Sequence, residues 1–236
     1  MELNLQKSNK FAQMAQHAYL DLNGKIPYMG MGYIEHRFIE HDGAQCHIVW
    51  DKEEIVVCFR GTEPDELSDI LADLNAIPRK SMTDGWVHSG FRGELDKLWN
   101  MITNIIDQHK DLKLYVCGHS LGGAMATLFA SRLEDRVEEL YTFGSPRVGT
   151  FSFVRNMHVK HWRFVNNNDI VTRVPLALMG YKHHGHLCYI NHYGKIRKMT
   201  IWQRIKDRFR GYRAGVLDGA KDHSMTNYVN YTIVEG

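Results

Sequence analysis

Leu114-Tyr115-Val116-Cys117-Gly118-His119-Ser120-Leu121-Gly122-Gly123 is the stretch whose reading decides the fold. The apolar residues from Leu112 to Cys117 read as a buried strand, and Gly122 to Leu133 reads as a helix that opens on small residues. Between them stands Gly-x-Ser-x-Gly. A serine on so tight a strand-to-helix turn has a strained backbone, and its neighbours two residues away on either side must lack bulk. The helix N-terminus also aims backbone N–H groups at whatever oxygen reacts beside the serine. With 20 glycines in 236 residues, chance supplies only about 0.06 such matches per chain. Ser120 is therefore the candidate nucleophile.

The rest of the chain reads outward from that turn. Phe11 to Leu20 has a helical face made by Phe11, Met14, Ala15 and Ala18. Cys46–Trp50 and Ile55–Phe59 read as strands joined by the charged turn Asp51-Lys52-Glu53-Glu54. Phe91 to His109 is an amphipathic helix carrying Leu95, Leu98, Ile102 and Ile105 or Ile106. Leu140–Phe143 and Trp162–Val165 read as further strands. This alternation predicts an α/β fold with a mostly parallel sheet and helices on both faces. No repeat or Pro/Gly-rich linker divides the sequence, so one domain is expected over 1–236.

Composition excludes several classes. Lys plus Arg is 29 and Asp plus Glu is 27, a net charge of +2, so no nucleic-acid partner is expected. At 44% hydrophobic residues the chain is not disordered, and its longest apolar runs fall well short of a bilayer span. Met1 to Lys10 is polar and no secretory signal follows, which makes a cytoplasmic location the expectation. Cys46, Cys58, Cys117 and Cys188 are scattered and read as reduced, buried thiols. Nothing in the sequence indicates an oligomeric state.

Serine is a weak nucleophile without a general base and a carboxylate to orient that base. Asp169 lies just past the strand Trp162–Val165, where an orienting acid belongs. The histidines beyond it are His183, His184, His186, His192 and His223. His88, just before Gly90 and the Phe91 helix, fits a structural hydrogen bond. No carboxylate or cysteine completes His183-His184-Gly185-His186 as a metal site, and no metal is expected.

Five segments together resemble the class 3 lipases, the fungal-lipase-like branch of the α/β-hydrolases. They are Phe59-Arg60-Gly61-Thr62, Val87-His88-Ser89-Gly90-Phe91, Gly118 through Gly123, Tyr141 through Gly149, and Val165-Asn166 through Asp169 to Pro175. They run in family order over about half of the chain. Gly180-Tyr181-Lys182-His183-His184-Gly185 and Asp222-His223-Ser224-Met225 match more loosely. The resemblance implies an α/β-hydrolase fold with Ser120 as nucleophile, Asp169 as orienting acid and His223 as base, and a structural His183. It implies that the N–H groups of Thr62 and Leu121 hold the oxyanion, with help from the Thr62 hydroxyl. It implies no cofactor. Its substrates would be acylglycerols or related lipid esters; phospholipase A1 or feruloyl-esterase activity is the alternative on the same fold. A silent lipid-binding module is a further alternative, against which the complete Ser, Asp and His set argues.

Two segments would shape the site. A short lid helix is implied over residues 63–74, where Leu67, Ile70, Leu71 and Leu74 share one face; a fixed loop-helix packed on the core is the other arrangement for it. Residues 200–213 put Trp202, Ile205, Phe209 and Tyr212 on one helical face among Arg204, Lys206, Arg208, Arg210 and Arg213. That composition fits peripheral contact with a lipid surface. It also fits a helix that packs its aromatic face on the domain.

Overall fold

The computed structural model describes residues 2–20, 25–62, 77–213 and 219–233; the lid expected at 63–74 lies outside them. In chain order the main elements are α1 (Leu5–His17), α2 (Lys25–Gly30), β1 (Glu35–His41), β2 (Ala44–Trp50), β3 (Glu54–Phe59), β4 (Pro78–Lys80), β5 (Trp86–His88), α3 (Ser89–Ile106), β6 (Lys113–His119), α4 (Leu121–Arg132), β7 (Val137–Phe143), β8 (Gly149–Thr150), α5 (Phe151–Arg155), β9 (His161–Asn166), β10 (Tyr181–Lys182), β11 (His186–Ile190), α6 (Ile201–Arg213), α7 (Gly219–Asp222) and α8 (Met225–Thr232). The main sheet has the order β1-β2-β3-β6-β7-β9-β11. From β3 to β11 every neighbouring pair is parallel, while β1 and β2 add an antiparallel hairpin at one edge. Strands β4, β5, β8 and β10 form a second, small sheet. Among the described residues no helix is long and apolar enough to cross a membrane.

Alternation along the strands divides the core in two. Ile55, Val57 and Phe59 of β3, with Leu114 and Val116 of β6, pack under α3 and α4. Val56, Cys58, Tyr115, Cys117, Tyr141 and Phe143 point the other way, toward α1 and α8. Both faces are thus covered, the arrangement parallel sheets require. In α3 the buried positions are Phe91, Leu95, Leu98, Ile102 and Ile106. All four cysteines are buried and free.

The element boundaries differ from the sequence reading for local reasons. Helix α1 begins at Leu5, because the Asn4 side chain accepts the Lys7 N–H at 2.9 Å and caps it. Strand β1 escapes the sequence reading, since Glu35–His41 is mostly polar on an exposed edge. It is set by Asp42-Gly43, both at positive φ, the turn chemistry of a two-residue hairpin. Strand β11, also unanticipated, pairs with β9 at the opposite edge.

Helix α1 is tied to the sheet through Glu139. Its carboxylate accepts hydrogen bonds from Lys7 at 2.8 Å, Lys160 at 3.1 Å, Tyr141 at 2.6 Å and Trp162 at 3.0 Å. Burial alone would raise the Glu139 pKa, but bonds from Lys7, Tyr141 and Lys160 override it and hold the group at about 2.

The histidines explain themselves once placed. The His36 and His47 rings are hydrogen-bonded at 2.9 Å, and His161 and His184 at 3.1 Å. His184 also reaches the Met157 carbonyl at 2.9 Å. Burial lowers the pKa of His17, His36, His47, His88, His119, His161, His183 and His184, to about 3 for His47 and about 4 for His88. These rings are packing groups held neutral by the fold. In the unfolded chain they take up protons near pH 6.5, while in the fold they do so only at lower pH. The unfolded state therefore binds more protons across that window, and stability falls as the pH drops. Urea midpoints measured from pH 7.5 down to pH 4.5 should fall steadily below about pH 6.5; a midpoint that stays level or rises would contradict this placement of the histidines.

Candidate active site

Ser120 sits between β6 and α4 at φ 55° and ψ −128°, a region that L side chains rarely occupy. Contacts on both sides hold it there. A Cβ on Gly118 would run into the Gly122 carbonyl group, and one on Gly122 would run into the Phe59 carbonyl oxygen. The two glycines thus let the first turn of α4 press against both β6 and the end of β3. The Ser120 N–H bonds the Phe143 carbonyl at 3.0 Å, and the Ser120 carbonyl accepts from Gly123 at 3.0 Å and Ala124 at 3.2 Å.

Asp169 and His223, 54 residues apart in sequence, are hydrogen-bonded. His223 Nδ1 lies 3.0 Å from Asp169 Oδ1 and 2.9 Å from Oδ2. A carboxylate only accepts, so Nδ1 carries the proton and the neutral ring keeps its lone pair on Nε2. That Nε2 is buried and has no hydrogen-bond partner among the described residues. Asp169 is fully buried. Its remaining donors are the Val171 N–H at 3.0 Å and the Tyr228 hydroxyl at 2.5 Å. Burial and the adjacent Asp169 push the Tyr228 hydroxyl well above its ordinary pKa, so it stays a donor. The same hydroxyl accepts the Asn166 N–H at 3.0 Å, which fixes its direction.

The flanking residues bind the two segments together. The Asp222 carboxylate accepts the Asn168 N–H at 2.9 Å, and the Asp222 carbonyl accepts the Asn166 amide at 2.9 Å. Helix α8, which carries Tyr228, is held in turn by Asn9 of α1, whose amide donates to the Val229 carbonyl at 2.9 Å and to Thr232 Oγ1 at 3.0 Å.

Two contacts bring Ser120 and His223 to one place. His119 Nε2 lies 2.7 Å from the His223 carbonyl, and the two rings pack 4.4 Å apart. Because that carbonyl accepts, His119 Nε2 carries the proton, and its Nδ1 takes the Tyr19 hydroxyl at 2.7 Å. Burial first, then the neighbouring His223, drives the His119 pKa well down and keeps the ring neutral. Gly144 follows Phe143, the backbone partner of Ser120. A Cβ on it would stand 2.8 Å from Asp169 Oδ2 and 2.9 Å from His223 Nδ1. Ser120 Oγ and His223 Nε2 are not hydrogen-bonded to each other here, as is common before substrate binds.

Gly61 is pressed against the same turn: a Cβ there would lie 2.6 Å from the His119 carbonyl oxygen and 3.2 Å from Ser120 Cβ. Thr62 and Leu121 line a common cavity of about 380 Å³, with Gln45, Arg60, Gly61 and Met125; Ser120 lies outside that lining. Leu121 is the first residue of α4, so its N–H has no helical acceptor.

Of the five late histidines only His223 meets Asp169. His183 bonds the Thr172 carbonyl at 2.8 Å, and His192 pairs with Asp207 at 2.9 Å. His88 caps α3 through the Phe91 N–H at 3.4 Å and stacks on the Phe91 ring. Tyr19, His119, Gly144, Asp222 and Tyr228 were not singled out from the sequence. His119, Gly144 and Asp222 lie inside the quoted segments, and their place there is the signal available for them; Tyr19 and Tyr228 carry none.

A family model described as Lipase (class 3) matches residues 56–179. The chain is 41% identical over 117 residues to the toxin TseL of Vibrio cholerae, covering 47% of this chain and 18% of that protein. It is 35% identical over 150 residues to a lipase of Rhizomucor miehei, covering 57% of this chain and 41% of that protein. The chain spans less than half the length of these curated relatives. Among solved structures it is similar to a triacylglycerol lipase whose catalytic centre is a serine protease triad. The TM-score is 0.66 at 25% identity, over 79% of this chain and 80% of that one.

Gly144→Ala tests the geometry directly. The alanine must adopt φ 58°, and its methyl group must displace either Asp169 or His223. A loss of roughly 2–4 kcal/mol in denaturant unfolding is expected; unchanged stability would mean that the pair is not packed against Gly144.

Proposed function

The chain belongs to the class 3 lipase family, and from that premise we propose that it is a serine carboxylester hydrolase acting on lipid esters of the acylglycerol type through an acyl-enzyme. His223 Nε2 takes the Ser120 proton as Oγ attacks the ester carbonyl. The N–H groups of Leu121 and Thr62 stabilise the tetrahedral oxyanion, where removal of one such donor typically costs about 100–1,000-fold in rate. His223 then protonates the departing alcohol. Water, deprotonated by the same nitrogen, attacks the acyl-enzyme and releases the acid, returning the proton to Ser120. Asp169 holds the imidazole in one tautomer and stabilises its protonated form.

The observation that carries this reading is His223. One ring nitrogen is fixed by a buried carboxylate, and the other is buried with no partner among the described residues. The positive φ of Ser120 supports it, because a backbone this strained at a single serine is the kind of feature found at functional sites. The shared cavity wall of Thr62 and Leu121 supports the oxyanion assignment. The name of the Rhizomucor miehei relative, a lipase, and the solved triacylglycerol lipase favour acylglycerols over phospholipid or feruloyl esters.

A fluorophosphonate probe should label the folded protein on Ser120. Ser120→Ala should abolish labelling and lower ester hydrolysis by roughly 10⁶-fold. Asp169→Asn should lower kcat by about 10⁴-fold while the protein stays folded. Labelling elsewhere, or hydrolysis retained by Ser120→Ala, would overturn the assignment. Emulsions of triacylglycerol, phospholipid and feruloyl ester compared side by side test the substrate class, and triacylglycerol should be the fastest.

A further inference from the structure

From Lys195 to Arg213 the sequence holds eight basic residues and one acid, Asp207. The fold turns the acid inward. Asp207 is buried; one oxygen pairs with the His192 ring at 2.9 Å, and the other accepts the His192 N–H and the Tyr189 hydroxyl, each at 3.1 Å. These bonds moor α6 to the end of β11 and fix its rotation. The opposite side is then presented outward, with Ile201 66%, Trp202 75% and Ile205 48% exposed. Lys206 is exposed on the same helix. The sequence offered the alternative of an aromatic face packed on the domain; Trp202 and Ile205 are found outside instead.

The chain just before α6 adds the charge. Ile196 bridges Ile190 of β11 and packs on the core, and the Arg197 N–H bonds the Tyr189 carbonyl at 3.0 Å. By strand alternation Lys195 and Arg197 are then directed away from the core, and both are exposed, as is Lys198. With Asn191, Tyr193 and Gln203 these three cations line a cavity of about 460 Å³ beside the first turn of α6. Asp207 also lines it, but its oxygens are already engaged as described.

From this juxtaposition we infer that α6 and the cationic cavity before it form a docking surface for an anionic phospholipid bilayer. Lys195, Arg197 and Lys198 receive a phosphate headgroup, while Ile201, Trp202 and Ile205 enter the boundary between headgroups and acyl chains. An apolar helix edge beside outward cations, with the nearby acid withdrawn, is complementary to such a surface in both charge and polarity. The inference rests on the proposed lipid-ester activity only for its purpose; the binding itself needs no catalysis.

The experiment uses the full chain with Ser120→Ala, so that lipid is bound and not consumed. Its co-sedimentation is measured with phosphatidylcholine vesicles, with and without phosphatidylglycerol. Binding at least about tenfold tighter to the anionic vesicles is expected, and it should weaken in high salt. Lys195→Glu with Lys198→Glu should bring binding down to the level seen with neutral vesicles. Trp202→Ala with Ile205→Ala should weaken it on anionic vesicles. Without Ser120→Ala, both double variants should hydrolyse a water-soluble short-chain ester at the unmodified rate, which shows that they are folded. Equal binding to both vesicle types, binding retained by both double variants, or self-association in place of vesicle binding would overturn the inference. Failure of the unmodified chain itself to hydrolyse the soluble ester would instead count against the proposed activity and leave the vesicle binding of the Ser120→Ala chain standing.

Discussion

A carboxylate withdrawn completely from water is tolerated only when hydrogen-bond donors replace its hydration. Asp169 meets that condition with the Val171 N–H, the His223 ring and the Tyr228 hydroxyl. Each donor comes from a different part of the chain: the turn after β9, the residue following α7, and α8. Helix α8 is held by Asn9 of α1, and α1 is tied to the sheet through Lys7 and Glu139. The Asp169–His223 pair therefore depends on both the beginning and the end of the described chain.

The same economy of space governs the turn at Ser120. Gly118 and Gly122 let α4 close on β3 and β6, and Gly144 leaves room for the Asp169–His223 pair beside it. His119, a variable position of the Gly-x-Ser-x-Gly pattern, links the turn to the His223 backbone through a ring that burial keeps neutral. An imidazole is a useful part for this task, because it donates at one end and accepts at the other while remaining uncharged. The paired rings of His36 with His47 and of His161 with His184 use the same property within the packed fold.

What the sequence made legible follows from how local each signal is. The turn at Ser120 is readable because its glycines and its flanking apolar runs lie within ten residues. The parallel sheet is readable because β3 and β6 are near-continuous apolar runs and β7 ends on one from Leu140. Asp169 could be placed from its strand, but five histidines competed for the base, and only the family resemblance singled out His223. Its hydrogen bond to Asp169 is a contact across 54 residues, which no local pattern encodes. The Tyr228 hydroxyl on Asp169, the bond from Asn168 to Asp222 and the link from Tyr19 to His119 are invisible for the same reason. Strand β1 is different: Asp42-Gly43 was a local hairpin signal, obscured by the polar strand before it. The outward face of α6 was undecidable from periodicity, because a helix packed on the core and one facing a lipid surface share a pattern.

In the proposed reaction Ser120, His223, Asp169 and the N–H groups of Thr62 and Leu121 converge on one reacting carbon. A crystal structure of the protein treated with an alkylphosphonate ester tests it most directly. Phosphorus bonded to Ser120 Oγ is expected, with one phosphonyl oxygen about 2.7–3.1 Å from both the Leu121 and Thr62 nitrogens and His223 Nε2 within hydrogen-bond reach of the adduct. A phosphonate on another residue, or one whose oxygen points away from those two nitrogens, would contradict it.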